Sequence, residues 1–138
     1  MAQVQRSVLF VSLMLAAAGA GAETLRGDHP LIGTWRITSP NGCSETYVVR
    51  PDGTASINSG EEVAESEVTI SDQPSALGFF KLVEKTVKDN GKKDCSGDVT
   101  PIGRVSTSYV ILHSGKDMFA LCEHEDRSAC IGPYKRIK

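Results

Sequence analysis

Beyond residue 22 the chain never holds a helical period for a dozen residues; short alternating apolar and polar runs recur instead, separated by turn signals. Such a chain is confined to β architectures. Leu31, Gly33, Trp35 and Ile37 alternate with Ile32, Thr34 and Arg36 until Pro40-Asn41-Gly42 breaks the run. Residues 43–49 are rich in β formers, and Arg50-Pro51-Asp52-Gly53 supplies a turn into a returning arm over 54–58. Between 61 and 71, Ala64, Ser66, Val68 and Ile70 share one face, and Glu65, Glu67 and Thr69 share the other.

The run over 78–88 has no settled inner face. Phe79, Val83 and Val87 oppose Phe80 and Leu82, which suits a bulge that switches faces partway. A solvated charged stretch from Lys88 to Asp94 leads into the longest loop, through Cys95 to Gly103. Residues 105–113 and 117–123 then form a hairpin about Ser114-Gly115, with Val105, Thr107, Tyr109 and Ile111 on one face of its first arm. A last strand over 130–137 carries Gly132-Pro133, which requires an edge or a bulge because proline donates no ladder hydrogen bond.

About eight strands follow from this reading, and closing them into an up-and-down barrel removes the exposed edges of an open sheet. An eight-stranded barrel is either filled by side chains or just wide enough for one small ligand. Large Trp35, Tyr47 and Tyr109 and small Ala55, Ala64 and Ser66 all read as inward, so both cases stay open.

The N-terminus bears on destination. Arg6, an apolar run over 8–18 and the small series Gly19-Ala20-Gly21-Ala22 follow the order of a cleavable secretory signal, residues 1–22. The apolar run is shorter than the roughly 20 residues needed to span a bilayer, so no membrane span is expected. A single domain over 23–138 remains, bound for a periplasmic or secreted location. The 138-residue chain has 15 basic and 17 acidic residues, and losing a leader whose one charge is Arg6 makes it more acidic still. That balance offers no electrostatic footprint for nucleic acid.

The four cysteines, Cys43, Cys95, Cys122 and Cys130, all lie beyond the leader, and an even count in an exported chain reads as a disulfide framework. Three connectivities are possible. The favoured one joins Cys122 to Cys130 around a charged loop and Cys43 to Cys95, fastening the long loop to the second strand. The close pairs of a zinc site are missing, and His29, His113 and His124 fall in three separate segments, so no metal is expected.

The stretch Leu31-Ile32-Gly33-Thr34-Trp35 resembles the G-x-W motif on the first strand of lipocalins and related calycins. Arg136 falls where those barrels place an arginine over that tryptophan. The resemblance implies a small, calycin-type exported bacterial barrel, closed at one end by Trp35 and Arg136. It lacks the C-terminal helix of a typical lipocalin.

No G-x-S-x-G elbow, phosphate loop or paired catalytic carboxylates appear; Glu61-Glu62 read as turn residues and Glu65 and Glu67 as outward strand residues. The expectation is a non-enzyme without cofactors. It is a periplasmic or secreted binding module for a small apolar or amphipathic ligand. One alternative is an inhibitor that meets a secreted protein, such as a cationic enzyme of the lysozyme kind, through the loop Glu123, His124, Glu125, Asp126 and Arg127. A second alternative is an envelope structural protein without ligand.

Overall fold

A computed structural model of the chain describes residues 22–138; the leader read over 1–22 lies, but for Ala22, outside the described residues. Eight strands run in sequence order, each antiparallel to the next: β1 (Gly33–Thr38), β2 (Ser44–Val49), β3 (Thr54–Ser59), β4 (Glu62–Ile70), β5 (Phe79–Asp89), β6 (Val105–Leu112), β7 (Met118–Cys122) and β8 (Cys130–Arg136). The last strand returns to the first, with Trp35 opposite Arg136 and Arg36 opposite Lys135, and the barrel closes. The exposed sheet edges are thereby removed, as the alternating pattern requires. Among the described residues no helix is long and apolar enough to cross a membrane.

Alternation sets the inward face strand by strand. In β4, Glu62, Ala64, Ser66, Val68 and Ile70 are buried while the residues between them are more exposed. The ambiguity in β5 resolves in favour of Phe80 and Leu82, whose partners Val110 and Ser108 share the interior. The expected bulge lies late in that strand, where the pairing slips between Glu65 and Ser66 of β4. In β6 the reading of Tyr109 as inward is corrected: Val110 is buried, so the inward set is Ser108, Val110 and Leu112. Both faces of that run carry β-branched or aromatic residues, and pairing with Phe80 decides between them. A second slip, between Phe119 and Leu121 of β7, lies across from Gly132-Pro133 of β8.

The two ends of the barrel differ. At the end where β1 begins, the segment from Leu25 to Ile32 folds under the strands, burying Leu25, His29 and Leu31. His29 Nε2 donates to the Ser71 carbonyl at 3.0 Å and Nδ1 accepts from Leu31 N, while the ring meets Phe80 edge-on. Trp35 is fully buried, donates from Nε1 to the Leu31 carbonyl, and packs edge-on against Phe119, which stacks on Tyr134. Arg136 lies 4.0 Å over the indole and donates to the carbonyls of Ile32, Pro30 and Lys116.

This end is therefore sealed by aromatic area and by a guanidinium each of whose three nitrogens donates to a backbone carbonyl. Gly33 makes the seal possible. Its φ is +140°, and an added Cβ would lie 2.5 Å from the Arg136 guanidinium and 2.6 Å from the Lys138 carbonyl.

The opposite end carries both disulfides, Cys43–Cys95 and Cys122–Cys130. The first fastens the long β5–β6 loop to the start of β2, and the second closes the neck of the β7–β8 loop.

Candidate functional site

The sealed end leaves the disulfide end as the mouth, and the interior just inside it is not filled. A chamber of about 170 Å³ lies there, lined by Glu45 and Tyr47 of β2, Ile57 of β3, Glu62 and Ala64 of β4, Glu84 and Thr86 of β5, and Thr100 of the long loop. Each strand residue reaches the interior by its parity: Glu45 with Tyr47 and Val49, Glu62 with Ala64 and Ser66, Glu84 with Leu82 and Thr86.

The loop over 90–104 forms the remaining wall. Besides the bond from Cys95 to Cys43, Cys95 N donates to Ser59 Oγ, Glu61 N to the Lys93 carbonyl, and Asn90 Nδ2 to the Glu61 carbonyl. The loop crosses so close to the β3–β4 turn that a Cβ on Gly60 would sit 3.2 Å from the Asp94 carbonyl carbon. It returns through Gly103 N and the Arg104 carbonyl, both bonded to the Thr86 backbone. These anchors hold Thr100 at the chamber.

Two of the chamber's carboxylates have dedicated hydroxyl donors. The Tyr47 hydroxyl donates to Glu84 Oε2 and Ser66 Oγ to Glu84 Oε1, while the Tyr134 hydroxyl donates to Glu45 Oε1 at 2.7 Å. Burial pushes the Glu84 carboxyl up from the usual range and Glu45 adds to this, against the Tyr47 and Ser66 donors and Arg104, which pull it down. Burial and the facing carboxylates also push both tyrosine hydroxyls up, so both remain donors.

Glu62 differs. It is 5% exposed, yet its Oε1 and the Oδ2 of Asp89 are the buried side-chain oxygens among the described residues that lack a hydrogen-bond partner. The other Asp89 oxygen accepts from Gly91 N. Asp89 stands opposite Ala64, one inward position from Glu62. Burial raises the Glu62 carboxyl above its ordinary value; the Thr100 hydroxyl lowers it, and the adjoining Asp89 carboxyl, close enough to share a proton with it, raises it again together with Asp94. Buried polar oxygens are satisfied in the great majority of cases, so an unpaired set beside a chamber marks a place for a donor that the chain does not itself supply, water or ligand.

The sequence placed Glu61-Glu62 in a turn away from any cleft; for Glu62 that is corrected, because it opens β4 and faces inward, while Glu61 is exposed. Glu45, Glu84 and Asp89 were missed altogether. Their signal was parity with the apolar residues of their own strands, masked by the ordinary surface preference of carboxylates. The loop residues Glu123, His124, Glu125, Asp126 and Arg127 are all exposed on the rim and line no part of the chamber. Asp126 caps the short turn over Arg127–Ala129 by accepting from Ser128 N and Oγ, which holds its carboxyl below the usual range.

Two larger grooves, of about 330 and 540 Å³, flank Gly132-Pro133 and contain no such unpaired buried group among their lining residues. Among the described residues no three histidine, cysteine or acidic side chains gather as metal ligands. The chain matches no protein-family model, no curated protein and no solved structure. The reading of the chamber therefore rests on the chain's own residues.

Proposed function

We propose that this protein is an exported, lipocalin-like binding module, periplasmic or secreted, that takes one small amphipathic molecule through the disulfide-bounded mouth. The observation that carries the reading is the asymmetry of the interior: aromatic packing fills one end and a polar chamber open towards the mouth remains at the other. Pockets for drug-sized ligands run to roughly 300–1,000 Å³, so a chamber of about 170 Å³ suits a smaller molecule or one end of a larger one. Carboxylates beside Ile57, Ala64 and the tyrosine rings favour an amphipathic occupant over an apolar one, whose burial would strand polar oxygens. Two disulfides are consistent with an oxidising destination, and the binding reading needs neither cofactor nor catalytic step.

Native mass spectrometry of protein recovered from its exported fraction tests this against Ala64→Leu, which fills the chamber from β4. The wild type is expected to carry one small adduct that the variant lacks. Equal, bare masses from both would overturn the reading.

A second reading is supported by the capped, disulfide-necked loop over 123–129, whose pre-organised acidic tip suits docking to a basic secreted protein. Charge reversal at Glu125 and Asp126 tests it: capture of such a partner that is unchanged by the reversal counts against the loop.

A further inference from the structure

The chamber's hydrogen-bond inventory is unbalanced in a way that specifies the charge of its occupant. Both Glu84 oxygens and one Glu45 oxygen are served by hydroxyls of the chain, whereas Glu62 Oε1 and Asp89 Oδ2 are buried and have no donor. Glu62 lines the chamber directly and is more than nine-tenths buried. We propose that the chamber binds a small organic cation, an ammonium or guanidinium group on a short apolar stem, whose N–H donors serve Glu62 Oε1 at the chamber wall, beside Asp89. This inference rests on the binding-module reading and deepens it by fixing the ligand class.

Other occupants fit less well. A neutral alcohol supplies a donor but no charge against the adjoining Glu62 and Asp89 carboxyls, whereas an ammonium brings three donors and a guanidinium five together with a positive charge. An anion meets Glu45, Glu62 and Glu84 at close quarters. Hard divalent cations take six or more oxygens in a dedicated shell, and the described residues gather no group of three metal ligands. At about 30 Å³ per water, a chamber of about 170 Å³ holds the volume of roughly five or six waters, which sets the scale of the buried portion of the ligand. Ile57 and Ala64 provide the apolar wall for the stem.

Cation binding is coupled to the protonation of Glu62, whose carboxyl is raised by burial. Glu62 of β4 faces Asp89 of β5 and Asp94 and Thr100 of the long loop, while Glu45 and Tyr47 of β2, Glu84 of β5 and Tyr134 of β8 complete the titratable surroundings. Arg104 is the cation acting on Glu84. An arriving cation relieves the repulsion that Asp89 and Asp94 exert on Glu62, and any proton that Glu62 holds leaves to solvent.

Isothermal titration calorimetry with n-butylammonium, n-butanol and butyrate, in two buffers of different ionisation enthalpy, tests this. Butylammonium is expected to bind at least tenfold more tightly than butanol, to release up to one proton per ligand at mildly acidic pH, and butyrate to bind undetectably. Glu62→Gln is expected to erase the tenfold preference, with an unchanged circular dichroism spectrum showing that the barrel is intact. Amide shifts in a nitrogen-proton correlation spectrum are expected at Glu45, Glu62 and Ala64.

Equal binding of butanol and butylammonium in the chamber would overturn the cation inference and leave the binding module standing. Shifts confined to residues 123–127 would also overturn it. No binding of any probe to wild type or Glu62→Gln would remove both.

Discussion

Removing the bond between Cys43 and Cys95 tests how the mouth is held. The bridge spans 52 residues, and constraining a loop of that length in the unfolded chain is worth about 4 kcal/mol in the chain-entropy treatment. The bridge of Cys122 with Cys130 spans 8 residues and is worth about 2.5 kcal/mol on the same basis. The two loops do not overlap in sequence, so each closes independently of the other.

The double variant Cys43→Ala/Cys95→Ala is therefore expected to lose about 4 kcal/mol, a large share of the roughly 5–15 kcal/mol typical of a domain. Equilibrium urea unfolding measures it, with each variant's own slope, because opening the loop lets the unfolded chain expose more surface. The shorter bridge is the poorer probe of this effect, since Cys122 is buried and its truncation adds a packing loss. In the folded double variant, hydrogen exchange is expected to quicken over 90–104, where the loop keeps its hydrogen bonds to Ser59, Glu61, Val63, Thr86 and Asp89. A loss below about 2 kcal/mol would refute the reasoning, by showing that the unfolded chain is already confined without the bridge.

Three further outcomes follow from the sealed end and the buried acids. Trp35→Ala is expected to cost about 3–5 kcal/mol in urea unfolding, because the indole is fully buried against Phe119 under Arg136. Arg136→Met is expected to cost at least the roughly 0.5–2 kcal/mol of the cation-π contact, read by the same method. Gly33→Ala, at a positive φ and against the Arg136 guanidinium, is expected to lower the melting temperature, whereas Gly42→Ala, with open space around its Cβ site, is expected to lower it less.

Stability is also expected to depend on pH in two opposed windows. Glu62 and Glu84 have carboxyls raised on folding, so the folded chain binds more protons than the unfolded one above the ordinary glutamate value. Their contribution is present at acid pH and is lost as pH rises through the raised values. Asp28, Asp52 and Asp126 are lowered by hydrogen bonds to Arg26, Thr54 and Ser128, and their contribution is lost as pH falls below the ordinary aspartate value. Thermal melts across mildly acidic to neutral pH are expected to fall with rising pH in the wild type and to flatten in Glu62→Gln/Glu84→Gln. A rise through that range in the wild type would contradict the burial of the two acids.

The barrel was legible because most strands announce one face. Ala64, Ser66, Val68 and Ile70 alternate without interruption, and Pro133 marks the irregular stretch of β8. Tyr109 misled because β6 offers hydrophobic residues to both sides, and only its pairing with Phe80 through Val110 selects one. The chamber was hidden for a different reason. Glu45, Glu62 and Glu84 obey the period of two, but an acidic side chain at an inward position reads as an exposed one until tyrosine donors or an enclosing loop are placed beside it. Whether the interior was hollow depended on which large residues point in, and Phe119 and Tyr134 crowd the sealed end while Ala64 and Thr86 leave the mouth end open.

A high-resolution crystal structure of protein recovered from its native source tests the central claim most directly, through the electron density between Glu62, Asp89 and Glu84. A discrete small molecule donating to Glu62 Oε1 is predicted in an otherwise open chamber. A chamber filled by the chain's own side chains, or a Glu62 carboxylate turned out into bulk solvent, would contradict it.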